Sequence, residues 1–123
     1  MSTTPIHDTK RHAPLPATHD YHETITLLCR ELAGLYYPQA AEELVQSALE
    51  REAMDTTYIG RGLAIPHARV EGLSSAAIYT AHAPAGIDWN GNSATTIVLL
   101  AVPAEQPELY LQMMSSVVRR YKG

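Results

Sequence analysis

The first periodic pattern of the chain is a stripe of apolar side chains after residue 20. The stripe consists of Ile25, Leu28, Cys29, Leu32 and Leu35. Apolar positions that recur every three or four residues are typical of an amphipathic helix. Asp20 is a competent N-cap, so we expect the helix to begin near this residue. It should end near Gly34, before the Tyr36–Pro38 segment interrupts the pattern.

Two further segments have a helical pattern. The apolar stripe of the first consists of Leu44, Val45, Ala48 and Leu49. It predicts a helix between Pro38 and Met54, and Pro38 is well placed to begin it because its ring fixes φ at a helical value. A last helix is predicted after Pro107, with apolar positions spread over residues 109–121.

From residue 55 onward the pattern becomes that of short strands and turns. Leu63–Pro66 is a short apolar run, and Ala76–Ala81 and Thr95–Val102 are longer ones. The last run does not alternate, so we expect it to be buried on both faces. Ile87–Trp89 followed by Asn90–Asn92 predicts a tight hairpin into that strand. Helices on both sides of a strand-rich middle indicate an α/β sandwich, with a mixed central β-sheet flanked by helices.

The first 14 residues differ from the rest of the chain. They mix threonine, histidine, proline and charged residues with almost no apolar side chain to bury. We therefore expect residues 1–14 to be a flexible tail or linker. Residues 15–123 are predicted to form a single domain, because a chain of 123 residues most economically makes one.

Composition and charge exclude several classes of function. The formal net charge is −4 without a long run of one sign, so no nucleic acid or acidic membrane surface is expected as a partner. No apolar run approaches the roughly 20 residues that span a bilayer, so no direct membrane insertion is expected. Cys29 is the only cysteine, which excludes an internal disulfide and is compatible with a reducing cytoplasm.

Chemically distinctive residues cluster between residues 51 and 69. His67 follows a short predicted strand, with Gly60 and Gly62 a few residues upstream. Arg51 and Arg69 lie at the two ends of the segment. Glycines let backbone N–H groups converge on an anion, arginines bind phosphate oxygens, and a neutral imidazole is a nucleophile at physiological pH. The segment suits a phosphorylated histidine, although a lone histidine near a Gly-x-Gly pattern is more often structural than catalytic.

The same segment resembles the signature of a known family. Its string L-E-R-E-x-x-x-T-T-x-I-G-x-G-x-A-I-P-H-A-R is similar to that of the type 2 enzyme IIA family of the bacterial sugar phosphotransferase system, which includes fructose-, mannitol- and nitrogen-related members. The similarity extends from about Leu15 through the helix pair to Leu100–Pro103 and the helix after it. It implies the enzyme IIA type 2 fold for residues 15–123.

The resemblance also implies a role for each residue of the motif. His67 matches the family's phosphohistidine, and Arg51 matches an arginine that helps to bind phosphate and dock the donor. Thr57 matches a small hydroxyl residue that orients the histidine ring. Arg69 follows the histidine in many relatives and would screen charge, unless it is a solvated arginine. Neither a metal nor an organic cofactor is implied, since positioning and charge neutralisation suffice for this transfer.

The chain departs from the family's pattern at several points. Active relatives usually carry a second histidine early in the helix after the last strand, where this chain has Tyr110. A tyrosine can donate a hydrogen bond to phosphate but supplies no cation. His82 would substitute if its strand faces the site; otherwise it is an exposed histidine at the end of a strand. The chain also stops where relatives continue into a final helix, and the apolar surface left uncovered there would favour a homodimer.

Two functions remain open at this point. The first is a cytoplasmic phosphocarrier that accepts phosphoryl on His67 from an HPr-like donor and passes it to a IIB domain. The second is a regulatory or sensory module tied to a transporter or a regulator, with weak or no onward transfer. A metal site on His19 and His22, one helical turn apart, is not predicted, because no third ligand has a suitable spacing.

Overall fold

The computed structural model describes residues 3–16 and 19–122 of the chain, which form one sheet and three helices over this range. In chain order the elements are β1 (Ile6–Lys10), α1 (Tyr21–Tyr36), α2 (Ala41–Met54), β2 (Tyr58–Gly60), β3 (Leu63–Ala64), β4 (His67–Val70), β5 (Ala76–Trp89), β6 (Asn92–Pro103) and α3 (Pro107–Lys122). No helix within the described residues combines the length and the apolar composition needed to cross a membrane.

The sheet is mixed, as the sequence predicts. Its order is β1-β5-β6-β3-β2, and β4 also pairs with β6. Strands β5 and β6 form a long antiparallel hairpin, whereas β3 and β4 pair with β6 in parallel. Along β6 the two parallel partners follow one another, with Leu63 opposite Thr96 and His67 opposite Leu100. Strand β6 is therefore the central strand, and its pairing with β3 and β4 fixes the position of the residues around His67.

Both faces of the sheet are covered by helices. On β6, Ile97, Leu99 and Ala101 belong to a core cluster shared with α1 and α2. The alternate residues Val98, Leu100 and Val102 belong to a second cluster shared with α3. Successive side chains of a strand point to opposite faces, so a run buried on both faces needs a helix layer on each side. The predicted α/β sandwich with a mixed central sheet is confirmed.

The prediction of a flexible tail over residues 1–14 is wrong for residues 6–10. This stretch forms β1, which runs parallel to β5 with Ile6 opposite Ala76 and Lys10 opposite Thr80. The His7 ring stacks on the Tyr36 ring of α1, with centroids 3.9 Å apart. Strand pairing uses backbone groups, so an edge strand forms here without an apolar sequence pattern.

Several predicted boundaries hold and others shift. Asp20 is the N-cap of α1, where its side chain accepts a hydrogen bond from the Glu23 N–H. Helix α2 begins at Ala41 rather than at Pro38. The predicted hairpin turn is present, and its residues Asn90 and Gly91 have φ of 54° and 88°. Both values are typical of the tight turn that joins twisted antiparallel strands.

Candidate functional site

Strand β4 brings His67 to the edge of the sheet. The Leu100 N–H donates to the Pro66 carbonyl at 3.0 Å, which attaches the chain to β6 just before β4 begins. Ala68 and Val70 pack into the core cluster of α1 and α2. Because side chains alternate along a strand, His67 and Arg69 point to the opposite face, toward α3. His67 and Arg69 are two residues apart in β4, so their side chains lie on the same face of the sheet.

The His67 ring is held in a defined orientation. The side chain is only 3% exposed, and its Nδ1 lies 3.2 Å from the Ile65 carbonyl oxygen. A carbonyl oxygen can only accept, so Nδ1 carries the proton in this hydrogen bond. The other nitrogen, Nε2, then keeps its lone pair. This tautomer presents Nε2 as the nucleophilic atom.

The surroundings of His67 favour its neutral form. Burial lowers the pKa of His67 from its usual value, and the positive charges of Arg51 and Arg69 act in the same direction. The hydrogen bond to the Ile65 carbonyl and the charge of Glu52 oppose this shift without reversing it. A ring with a lowered pKa is unprotonated at neutral pH, which is the state a nucleophile requires.

Two arginines border the opening beside His67. Arg51, Arg69 and His67 line a cavity of about 340 Å³ together with Ser47 and Met54. The Arg51 guanidinium donates to the Asp55 carbonyl at 2.8 Å, which holds it at the end of α2. A guanidinium group binds phosphate oxygens in a planar, bidentate way. The cavity therefore combines a nucleophilic nitrogen with two groups suited to a phosphoryl anion.

Tyr110 of α3 lies beside His67, and the hydrogen bond to phosphate expected of it stays a prediction. Its ring lies 4.7 Å from the ring of His67, centroid to centroid, with 37° between the two planes. The Arg69 guanidinium carbon lies 4.5 Å from the centroid of the same tyrosine ring. This is the geometry of a cation–π contact. The Tyr110 ring therefore contacts both the Arg69 guanidinium and the His67 ring.

Thr57 does not contact the His67 ring through its hydroxyl. Its Oγ1 donates to the Glu52 carboxylate at 2.7 Å, and its backbone N–H donates to the other oxygen of the same group. Its carbonyl accepts from the Ile65 N–H at 3.1 Å. The orienting role expected of Thr57 stays a prediction, and the hydrogen bonds that connect Thr57 to the ring run through Ile65.

Gly60 and Gly62 do not join the site. They lie in the turn between β2 and β3, with φ of 104° and 78°. The Gly62 carbonyl accepts from the N–H groups of Thr95 and Thr96. The register places Thr96 four residues before the partner of His67 on β6, which is about 13 Å along the strand. The glycines serve a tight turn against β6, and the phosphate-binding role expected of them has no support in their position.

His82 is also remote from His67. It is an exposed residue of β5 and pairs with Thr96, whereas His67 pairs with Leu100. The two histidines are thus separated by one intervening strand and by about 13 Å along it. Of the two alternatives left open for His82, the structure therefore favours an exposed histidine over a substitute for the second histidine.

Sequence reasoning missed two features of the site. Glu52 was seen only as a letter of the motif, yet its side chain is 4% exposed and accepts three hydrogen bonds. Ser47 binds both the N–H and the carbonyl of Arg69, at 2.9 and 3.1 Å, and so fixes the free edge of β4 to α2. A polar residue on the apolar face of a predicted helix was the available signal for Glu52. In the described residues, three or more metal-ligating side chains nowhere come together.

Comparisons with known proteins agree on one family. The family model described as phosphoenolpyruvate-dependent sugar phosphotransferase system, EIIA 2, matches residues 15–122. The 2-O-alpha-mannosyl-D-glycerate-specific EIIABC component of Escherichia coli is 28% identical over 103 residues, which are 80% of this chain and 16% of that protein. The fructose-specific EIIA component of Haloferax volcanii is 33% identical over 78 residues, which are 61% of this chain and 51% of that protein.

Further similarities concern a regulator and the fold. The nitrogen regulatory protein of E. coli is 31% identical over 94 residues, which are 73% of this chain and 58% of that protein. The crystal structure of IIA mannitol from E. coli matches with a TM-score of 0.72 and 22% identity, over 88% of this chain and 77% of that one. The complex of IIA mannitol with phosphorylated IIB mannitol matches with a TM-score of 0.65 and 18% identity, over 100% and 82%. At such identities the structural matches show the fold, and the chain spans only part of each relative.

Proposed function

The chain belongs to the EIIA 2 family of the phosphoenolpyruvate-dependent sugar phosphotransferase system, and on this premise we propose that it is a phosphocarrier. In this proposal His67 accepts a phosphoryl group from an HPr-like donor and passes it to a IIB domain. The donor and the acceptor come from the family and from the names of relatives, among them an IIA mannitol in complex with phosphorylated IIB mannitol.

One observation carries the proposal, namely the placement of His67. Its Nδ1 is bound to the Ile65 carbonyl, its pKa is lowered chiefly by burial, and Arg51 and Arg69 line the cavity beside it. A neutral imidazole with one nitrogen tied back is a nucleophile with a single reactive atom. The surrounding arginines supply the positive charge that a phosphoryl group requires.

The proposed transfer step is a direct displacement at phosphorus. The Nε2 lone pair of His67 forms a P–N bond while the P–N bond of the donor phosphohistidine breaks, and that electron pair returns to the donor imidazole. The Nδ1 proton stays on His67 and remains bound to the Ile65 carbonyl. In onward transfer a cysteine or histidine of the IIB domain forms a new bond to phosphorus. The P–Nε2 bond breaks at the same time, and its electron pair returns to Nε2 of His67. No metal is needed in this scheme, because positioning and charge neutralisation drive it.

The proposal is tested by phosphorylation with a matched histidine control. Incubation with phosphoenolpyruvate, enzyme I and HPr from the same organism should give an acid-labile adduct with a stoichiometry near one per chain. His67→Gln should abolish it, while His22→Gln, an exposed residue of α1, should retain it. Absence of an adduct on the wild-type chain, or an adduct that survives in His67→Gln, would contradict the proposal.

A regulatory function is the second candidate, and the cover over His67 favours it. Tyr110 stands where active relatives usually have a histidine, and its ring packs on His67, which is 3% exposed. A nitrogen regulatory protein is also among the relatives. This candidate predicts slow transfer to IIB domains together with stable binding to a transporter or a regulator. Fast and reversible phosphoryl exchange with a IIB domain from the same organism would exclude it.

A further inference from the structure

Glu52 is a buried carboxylate at the junction of three elements. It lies near the end of α2 and is 4% exposed. Its Oε2 accepts from the Thr57 N–H at 2.7 Å and from the Trp89 indole N–H at 3.0 Å, and its Oε1 accepts from the Thr57 hydroxyl at 2.7 Å. Trp89 is fully buried at the end of β5. One side chain therefore joins α2, the segment that leads into β2, and the hairpin.

The contacts of Glu52 continue without a break to His67. Thr57, held by two hydrogen bonds to Glu52, accepts from the Ile65 N–H at 3.1 Å through its carbonyl. The Ile65 carbonyl in turn lies 3.2 Å from Nδ1 of His67. The N–H and the C=O of Ile65 thus connect the carboxylate network on one side with the imidazole on the other. A shift of Thr57 would change the direction of the group that fixes the histidine tautomer.

Glu52 is also coupled to the cavity through its neighbour in the chain. Arg51 precedes it in α2 and lines the cavity beside His67. Fixing Glu52 against Thr57 and Trp89 therefore fixes the last turn of α2 and the origin of the Arg51 side chain. The nucleophile and the arginine share one anchor, although they come from different elements.

From this arrangement we infer that Glu52 is a positioning residue, which holds His67 in the Nδ1–H tautomer and Arg51 beside it. The functional consequence of this positioning, acceptance of phosphoryl by Nε2, rests on the proposed function. Glu52 touches neither the imidazole nor the cavity among the contacts described above. It positions His67 and Arg51 through Thr57, Ile65 and the helix backbone, and its charge separately opposes the lowering of the His67 pKa.

The chemistry of the carboxylate explains why an amide would not replace it. Three N–H or O–H donors converge on its two oxygens, and a carboxylate offers acceptors at both. Glu52→Gln has nearly the same shape but places an NH₂ group where one oxygen was. With the NH₂ at the Oε2 position it faces the N–H donors of Thr57 and Trp89. With the NH₂ at the Oε1 position it can donate to the Thr57 hydroxyl, but the hydrogen of that hydroxyl then loses its acceptor. A buried donor without a partner is costly, so the segment around Thr57 must move to relieve it.

The test reads the tautomer of His67 directly by NMR on the whole chain labelled with ¹⁵N-histidine. In the wild type we expect Nδ1 protonated and Nε2 unprotonated at neutral pH. In Glu52→Gln we expect a mixture of tautomers, and the single-turnover rate of phosphoryl acceptance should fall by roughly tenfold or more. A folded Glu52→Gln variant with the wild-type tautomer and rate would overturn the inference.

The chain offers a matched control at Glu31. This carboxylate also accepts several hydrogen bonds, from the Arg11 guanidinium and the Tyr79 hydroxyl, but it joins α1 to β5 and the residue after β1. Glu31→Gln should lower the free energy of unfolding as Glu52→Gln does, and it should leave the His67 tautomer unchanged. A similar change of tautomer in both variants would show that general loosening is responsible and would overturn the inference.

A second pair of variants decides the question if Glu52→Gln fails to fold. Thr57→Val removes the hydroxyl bond and keeps the backbone bond, so it should give a partial change of tautomer, whereas Thr57→Ser should retain the tautomer of the wild type. Equal, wild-type tautomers in a folded Thr57→Val and in Thr57→Ser would overturn the inference. The NMR measurement needs no phosphoryl donor, so it tests the positioning by Glu52 even if the wild type takes up no phosphoryl. Absence of phosphoryl uptake would contradict the proposed function alone.

Discussion

The rings of Tyr110 and His67 are in contact, with centroids 4.7 Å apart and planes inclined by 37°. They come from different elements, α3 and β4, and the Arg69 guanidinium also packs against the tyrosine ring. This contact contributes to the low exposure of His67, which is 3%. We therefore expect a phosphoryl donor that approaches His67 to meet the Tyr110 side chain.

We expect Tyr110 to control access to His67. Loss of an aromatic contact of about 0.5–1.5 kcal/mol in Tyr110→Ala should raise the accessible population roughly two- to tenfold. The phosphorylated form should then hydrolyse faster, because water reaches the P–N bond. Tyr110→Phe keeps the ring and serves as the control. Decay of the acid-labile adduct measures the effect, and equal decay rates in the alanine variant and the wild type would contradict it.

A histidine in place of Tyr110 should strengthen phosphoryl transfer. Tyr110→His keeps an aromatic ring against His67 and adds a group that can carry a positive charge near the transferred group. The rate of acceptance from HPr is expected to rise, by about tenfold for a gain of about 1.4 kcal/mol. Quenched-flow phosphorylation of the two proteins measures this gain. A rate below that of the wild type would indicate that the tyrosine itself assists the transfer.

Arg51 and Arg69 should differ in their effects on transfer. Arg51 lines the cavity and donates to the Asp55 carbonyl, so Arg51→Met should slow acceptance by roughly 10- to 100-fold, the effect of losing one charge-assisted contact. Arg69→Met also loses the contact with Tyr110, so it should raise adduct hydrolysis as well. Single-turnover rates and adduct lifetimes separate the two effects. Identical behaviour of the two variants in both measurements would show that the arginines are equivalent.

His67 should make folding stability depend on pH. Its pKa in the folded state is lowered from the usual 6.5, chiefly by burial and further by Arg51 and Arg69. The unfolded chain therefore binds the proton first as the pH falls below 6.5, and the free energy of unfolding decreases until the pH passes the folded-state pKa. Above 6.5 this contribution is fully present.

The pH effect is measured as a difference between two proteins. Urea unfolding gives the free energy of unfolding of the wild type and of His67→Gln at about pH 8 and about pH 5. Carboxylates titrate in both proteins, so their contribution cancels when the two pH-dependent changes are compared. The wild type should lose more stability on acidification than the variant does. An equal loss in the two proteins would mean that the His67 pKa is not lowered in the folded state.

The helices and the central strand followed from local patterns of the sequence, whereas a residue of the last helix close to His67 was expected only from the resemblance to the family. The strand expected over Leu63–Pro66 is shorter, because β3 covers only Leu63–Ala64, and His67 begins the separate strand β4 instead of following a strand. The helix after Pro107 begins close to the end of β6, as expected. The two-sided burial of β6 was visible in its continuous apolar run, and this required helices on both faces. These features can be predicted from hydrophobic periodicity and from the positions of proline and glycine, which a single sequence contains.

The features that the sequence did not reveal depend on pairing across long separations. Strand β1 has no apolar pattern and forms because its backbone pairs with β5, some 70 residues later in the chain. The distance of His82 from His67 follows from register, since each pairs with a different residue of β6. Glu52 was not recognised because its three donors come from Thr57 and Trp89, and only the fold brings Trp89 to it.

The glycines of the β2–β3 turn give the sharpest test of what the motif does structurally. A Cβ on Gly62 would overlap the Thr95 hydroxyl, whereas one on Gly60 meets open space, and both residues have positive φ. Gly60→Ala should therefore cost about 1–2 kcal/mol through backbone strain alone. Gly62→Ala should cost this and a further amount on the order of 1 kcal/mol from overpacking.

Thr95→Ala separates the two contributions at Gly62, because it removes the hydroxyl and keeps the backbone hydrogen bond to the Gly62 carbonyl. The double variant should recover the overpacking part and leave the strain, so urea unfolding of the four proteins should give a coupling energy on the order of 1 kcal/mol. Phosphoryl acceptance by Gly60→Ala and Gly62→Ala, measured where both remain folded, should match the wild type, since the turn lies about 13 Å along β6 from the partner of His67. A fall in that rate without a matching loss of stability would restore to this turn the phosphate-binding role that its glycines suggested.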